Sequence, residues 1–151
     1  MKIVPGDLHK PEVIDLVQSH IDHMVANSPP GMSYALDPAE LSSDAIEFWT
    51  VIKEEKTVGC GALKTLNNEA GEIKSMRTHP DYLGQGVGAA LLKHIINSAK
   101  ARGFKQLLLE TGRTDYYQAA IRLYKTYGFV SALAFGDYQS SDFNQFFKLE
   151  I

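Results

Sequence analysis

Met76-Arg-Thr-His-Pro-Asp-Tyr-Leu-Gly-Gln-Gly-Val-Gly-Ala-Ala-Leu-Leu-Lys93 is the stretch on which the reading of this chain turns. A strand end runs into three alternating glycines, Gly84, Gly86 and Gly88, and then straight into an amphipathic helix. Such a junction is a backbone cradle for phosphate. The helix start offers unpaired N–H groups and a partial positive charge, and residues without side chains let an anion come close.

Working outward, Gly86–Arg102 reads as a helix. Val87, Leu91, Ile95 and Ala99 form one stripe with Leu92 and Ile96 beside it, Lys93, Asn97, Lys100 and Arg102 face away, and Gly103 is a natural stop. Upstream, Phe48–Ile52 and Val58–Leu66 flank the turn Glu54-Glu-Lys56, and Glu72–Thr78 follows as a third strand. Before these, Lys2–Val4 is a short strand. Asp7 is a candidate cap for a helix carrying Val13, Val17, Ile21 and Met24, and Asp37-Pro38-Ala-Glu40 reads as the box that opens a second, short helix. Downstream come an apolar strand at Leu107–Glu110, a helix through Ala120, Leu123, Tyr124 and Tyr127, and strands around Phe129–Phe135 and Gln145–Leu149. The predicted order is β-α-α-β-β-β-α-β-α-β-β, a mixed α/β fold.

The bulk numbers narrow the function. The 151 residues, 44% hydrophobic and 22% charged, predict a single domain spanning residues 1–151. A net charge of -3 carries no nucleic-acid or membrane-surface footprint. One cysteine, Cys60, excludes an internal disulfide. No apolar run approaches the ~20 residues of a membrane span, and the first residues lack a signal-peptide pattern, so a cytoplasmic location is expected. His20 and His23 lie three apart on the first helix without a third ligand, so no metal site is expected.

The glycines admit two readings. Gly84-x-Gly86-x-x-Ala89 matches a relaxed dinucleotide fingerprint, with Glu110 closing a later strand. That fingerprint, however, follows directly on the first strand of its fold. Here His79-Pro-Asp-Tyr-Leu83 intervenes and a strand meander precedes. The second reading is coenzyme A. Gln85-Gly86-Val87-Gly88-Ala89 opening a helix resembles the pyrophosphate loop of the GNAT (GCN5-related) N-acetyltransferase superfamily. His79-Pro80 is similar to that family's segment before the loop. Ala120-Ile-Arg-Leu-Tyr124-Lys-Thr-Tyr-Gly128-Phe129 resembles its second motif, and the element order agrees along the whole chain. The chain departs at Leu83, where the signature has Gln or Arg, and at Tyr117, where many members carry a coenzyme-contacting Asn. Glu72-Ile-Lys-Ser-Met-Arg77 and Leu109-Glu-Thr-Gly112 resemble a small-molecule or amino-acid-type subgroup.

The resemblance implies an acetyl-CoA-dependent transferase with a mostly antiparallel sheet flanked by helices. The pyrophosphate is expected on Gly84, Gln85, Gly86, Val87, Gly88 and Ala89. The pantetheine arm is expected along Met76, Arg77 and Thr78, where that strand splays from Leu107–Thr111, with Tyr117 nearby. Tyr124 is the expected general acid for the departing thiolate. Glu72 and Glu110, on adjacent strands, are even candidates for the base or the amine-binding carboxylate, and His79 is a third. Within the pleat Glu72 shares a face with Lys74, Met76 and Thr78. The expected acceptor is a small-molecule or amino-acid-like primary amine, met by Ala26–Leu36 and the short helix after it, and the tail near Phe135–Tyr138 and Ser140–Asp142 is expected either to close the other side or to join a dimer. Transfer is direct, since Cys60 between two glycines reads as buried filler. The chain is expected to be a monomer or homodimer. A non-catalytic coenzyme-A-sensing module on the same fold is the alternative.

Overall fold

The computed structural model describes residues 1–151. Its elements are β1 (Lys2–Pro5), α1 (Pro11–Ala26), α2 (Pro38–Leu41), β2 (Ile46–Lys53), β3 (Lys56–Thr65), β4 (Ala70–Thr78), α3 (Val87–Ala101), β5 (Gln106–Gly112), α4 (Gln118–Thr126), β6 (Val130–Ala132) and β7 (Asn144–Glu150). This is the predicted order. The strands form one sheet, β1-β2-β3-β4-β5-β7-β6. Every neighbouring pair is antiparallel except β4 with β5.

The helices cover both faces. On one, Leu91, Leu92 and Ile95 of α3 and Ile121 and Tyr124 of α4 pack with Val51, Leu63, Leu107 and Phe147 from the strands. On the other, Val13, Leu16 and Val17 of α1 and Leu41 of α2 cover Phe48, Cys60 and Ala62. Burying each aliphatic side chain contributes about 1.5–3 kcal/mol before conformational entropy is counted. The α3 stripe is buried as its spacing requires.

Three local expectations are corrected or refined. Asp7 does not cap α1. Pro11, with its fixed φ, sets the helix start and puts Lys10 at the cap, while the Asp7 carboxylate accepts the His9 N–H. The box at Asp37–Glu40 forms in both directions, with the Asp37 carboxylate accepting the Glu40 amide and the Glu40 carboxylate accepting the Asp37 amide. β6 ends at Ala132 rather than Phe135, because Phe135 leaves the edge to pack against Tyr138 and Phe146. That excursion brings the tail over the end of the sheet that carries the site.

Candidate active site

β4 and β5 are paired only over Ala70–Glu72 and Gln106–Leu108. Beyond that the strands diverge, and a cleft of about 660 Å³ opens between them. This is an ordinary size for a small-ligand site. The divergence has a local cause. Cys60 faces Arg77 and Ala62 faces Lys74, so β4 carries one residue more than β3 between those pairs. The extra residue is a bulge at Ser75, whose backbone is left-handed at φ 57°. A bulge bends its strand and sharpens the twist. Gly61 makes room opposite it: a Cβ there would lie 2.7 Å from Met76 Sδ and 2.9 Å from Leu91 Cδ2.

The bulge also resets the faces of β4. Glu72 and Lys74 share a side, as the pleat requires. After Ser75 the alternation shifts. Arg77 reaches α1 through Ser19, while Met76 turns into the core under α3 and Thr78 stands beside Gly88. The expected common face of Glu72, Lys74, Met76 and Thr78 is therefore broken at its midpoint, because a bulge inserts one residue into a two-residue repeat.

From β4 the chain makes a short turn at Pro80–Tyr82. The His79 ring accepts the Asp81 N–H at 3.1 Å, so this histidine shapes the turn. Gly84 and Gly86 follow with left-handed backbones, φ 74° and 82°. No atom lies within 4 Å of where a Cβ on Gly84 would stand, and Met1 Cε at 3.9 Å is the nearest to that point on Gly86. None of the six amides from Gly84 to Ala89 donates to a group of the chain, and α3 starts without a side-chain cap. The result is an open row of donors at the positive end of a 15-residue helix. These residues fit an anionic diphosphate. Leu83 is 66% exposed at the edge of the cradle. The Gln85 side chain leaves the cleft, accepting from Lys53 Nζ at 2.7 Å, so only its backbone belongs to the donor row.

Across from the cradle, Tyr124 of α4 lines the cleft. Its ring is in the core at 7% exposure and tilts against Phe129. Burial pushes its phenol up to about 12, so the hydroxyl stays protonated. Tyr117 closes the end of the cleft near β5. Its hydroxyl pairs with Ser28 Oγ at 3.0 Å and donates to the Asn27 carbonyl at 3.3 Å, tying this segment to the end of α1. Burial holds its phenol above the ordinary range.

The other end of the cleft is built from side chains. Glu110 faces it from β5, and burial raises its carboxyl to about 7, against the pull of Asn144 and Lys74 and with a push from Glu72. Glu72 is only 3% exposed and is not part of the cleft wall. Its Oε2 accepts the Tyr138 hydroxyl at 2.5 Å and Lys74 Nζ at 3.4 Å, and Lys74 also donates to Tyr138 at 2.6 Å. Burial and the Glu72 carboxylate hold the Tyr138 phenol far above its usual range. His20 of α1 is buried in the same wall. Burial, reinforced by Arg77, His23 and Lys74, lowers its imidazole to about 4, so it is neutral near pH 7. Cys60 also borders the cleft, with its Sγ donating to the Ser75 carbonyl at 3.3 Å and its thiol pushed up to about 12 by burial.

Eleven of the expected site residues thus meet in one cleft: Met76, Arg77, Thr78, Gly84, Gly86, Val87, Gly88, Ala89, Glu110, Tyr117 and Tyr124. Glu72 and the Gln85 side chain do not. The bulge at Ser75, the Tyr138 hydroxyl on Glu72 and Asn144, buried at the β7 start, were not foreseen. The Glu72–Lys74 pair is the salt bridge that their shared face offers as the alternative to a catalytic Glu72, formed here in a buried setting.

A sheet opened between two parallel strands, with an anion cradle at one end and ionisable side chains at the other, defines an acyl-group transferase as the class. The family model described as acetyltransferase (GNAT) matches residues 14–129. The uncharacterized N-acetyltransferase YedL of Escherichia coli (strain K12) is 41% identical over 149 residues, covering 99% of this chain and 94% of that protein. The uncharacterized N-acetyltransferase YsnE of Bacillus subtilis (strain 168) is 41% identical over 138 residues, covering 91% of each. The solved structure of a GNAT family acetyltransferase from Elizabethkingia anophelis with acetyl-CoA bound shares the fold, with a TM-score of 0.72 at 20% identity over 99% of this chain and 97% of that one. The chain belongs to the GNAT acetyltransferase family. It is an acetyl-CoA-dependent acetyltransferase, and the dinucleotide reading of its glycines falls away. No helix is long and apolar enough to cross a membrane.

Proposed function

We propose that residues 1–151 act as one N-acetyltransferase domain that moves the acetyl group of acetyl-CoA to a primary amine of a small molecule or amino-acid-like acceptor, directly, with both substrates bound. The observation that carries this reading is the meeting, in one cleft, of six unpartnered amides, a protonated buried phenol and a carboxyl raised to about 7.

Acetyl-CoA supplies the activated acetyl group. The amides of Gly84–Ala89 hold its diphosphate. The β5-facing edge of β4 beyond Glu72 has no strand partner, so its main-chain groups are available to an extended ligand. Tyr124 donates a hydrogen bond where the thiolate forms. With its phenol near 12 and a thiol near ~8.5, complete proton transfer from Tyr124 is uphill, so its contribution is charge stabilisation. Glu110 takes the proton from the amine, a role that suits a carboxyl near 7 facing the cleft. Glu72, saturated by Tyr138 and Lys74, positions those two groups instead. The raised thiol of Cys60, committed to the Ser75 carbonyl, favours direct transfer over an acetyl-cysteine route.

The test is thiol release from acetyl-CoA across a panel of small primary amines, with the acetylated amine identified by mass. Binding of acetyl-CoA without thiol release from any amine would overturn the proposal and favour a coenzyme-A-sensing module.

A further inference from the structure

Arg77 stands apart from the other charged groups of the cleft. Lys74 has Glu72, and Arg102, on the far side, has Glu47. Arg77 lies within ion-pair distance of no carboxylate. Its Nη2 donates to Ser19 Oγ at 3.0 Å and lies 3.4 Å from His23 Nδ1, and its Nη1 donates to the Tyr116 hydroxyl at 3.3 Å. The accepting partners are two hydroxyls, neither of them anionic, because His23 Nδ1 donates to the Ser19 carbonyl at 2.7 Å. The Nε–H is sealed from solvent and donates to nothing. A guanidinium is always charged and presents its donors as a planar fork suited to a carboxylate. Leaving one of its buried donors unmatched is costly.

The position of the group selects among anions. The bulge at Ser75 puts the Arg77 side chain on the α1 side of the sheet, whereas the glycine cradle and its diphosphate site open at the α3 side. The charge therefore serves the acceptor rather than the coenzyme. His20 next to it is buried and neutral, so the wall between α1 and β4 holds a net positive charge, facing Glu110 across the cleft. A positive wall opposite a carboxyl is complementary to a molecule with an anionic and an amino end.

We infer that Arg77 is a specificity-determining residue that binds a carboxylate of the acceptor, so that the enzyme acetylates amino acids, or amines bearing a carboxylate, in preference to simple amines. The inference rests on the N-acetyltransfer proposed above. The carboxylate pairs with the N–H groups that the two Nη atoms of Arg77 have beyond their bonds to Ser19 and Tyr116, and it places the amine toward Glu110.

The experiment compares matched sets of acceptors: amino acids, their carboxamides and their decarboxylated amines. Each is assayed by thiol release with the wild type, Arg77→Gln and Arg77→Lys. The amino acid is expected to exceed its carboxamide by on the order of 10- to 100-fold in kcat/KM, the range of a charged hydrogen bond. Arg77→Gln should bring that ratio near one, chiefly through the acceptor KM, with acetyl-CoA affinity held. Arg77→Lys should restore part of the preference. Equal turnover of all three acceptors by the wild type would overturn the inference. So would an Arg77→Gln variant that loses all acceptors alike or binds acetyl-CoA more weakly. A second arm measures thermal stabilisation of the coenzyme A complex by the deaminated acids. Stabilisation that depends on Arg77 supports the carboxylate site even if no amine releases thiol, an outcome that would sink the transfer proposal alone. Stabilisation absent throughout would count against the carboxylate site.

Discussion

The two ends of the cleft are made of different material. The cradle end is main chain: six amides in one unbroken run, with glycines that matter for the side chains they lack. The proposed acceptor end is side chains: His20 of α1, Arg77 of β4 and Glu110 of β5 line it, and Tyr138 of the tail before β7 stands behind them on Glu72. A diphosphate is the same in every reaction of this kind, so a backbone device suits it. An acceptor varies, and side chains brought from four separate segments can be exchanged without disturbing the cradle.

That division can be broken experimentally. The largest effect is expected where the ends meet. Tyr124→Phe should lower kcat by on the order of 10²- to 10³-fold, the range for losing one hydrogen-bond donor to a developing charge, with little change in acetyl-CoA affinity, as single-turnover and calorimetric measurements would show. Coenzyme binding that fell in step with kcat would place this tyrosine on the cradle side instead. Glu110→Gln should cost about 10²-fold and reshape the pH profile. A carboxyl near 7 works as a base only when deprotonated, so kcat/KM should rise with pH through about 7. The variant should lack that limb while keeping the limb of the acceptor amine at higher pH. A limb unchanged in Glu110→Gln would return the role of base to another group. At the cradle, Gly86→Val forces a β-branched residue to φ 82°. A strain of about 1–3 kcal/mol, together with a narrowed approach, predicts acetyl-CoA affinity weaker by on the order of 10- to 100-fold. The acceptor preference should be unaltered, and a changed preference would mean the two ends are coupled. The smallest effect is expected for Leu83→Arg, which adds an exposed cation beside the cradle. A gain of ~0.5–1 kcal/mol, fading with added salt, is the expected result in titration calorimetry.

The same division explains what could be read from the chain alone. The cradle was legible because its signal is local: three glycines, a helix stripe and a preceding strand lie within one short stretch. The element order was legible for the same reason, each strand and helix carrying its own period. The split between β4 and β5 entered only through family resemblance. The acceptor end resisted because its contacts are distant in sequence. Glu72 and Glu110 looked equivalent on neighbouring strands, and what separates them is Tyr138, which returns from the far tail to occupy Glu72. Nothing in Lys74-Ser-Met-Arg77 announces a bulge, since serine has no preference for left-handed backbone and the compensating gap is at Gly61 on another strand. An alternating pattern read straight through Ser75 therefore put Met76 and Thr78 on the wrong side.

That single inserted residue separates two properties of the strand that are usually tied together. Faces alternate with period two, yet Lys74 and Arg77, three positions apart, both stand on the α1 side because Ser75 takes up the odd step. Deleting Ser75 would pair Met76 with Gly61 in a regular ladder and leave Met76 under α3 and Arg77 toward α1. What the deletion would remove is the bend. The shape of the opening beside β5 and the identity of the residues on its walls can therefore change independently, the first by the length of the strand and the second by substitution.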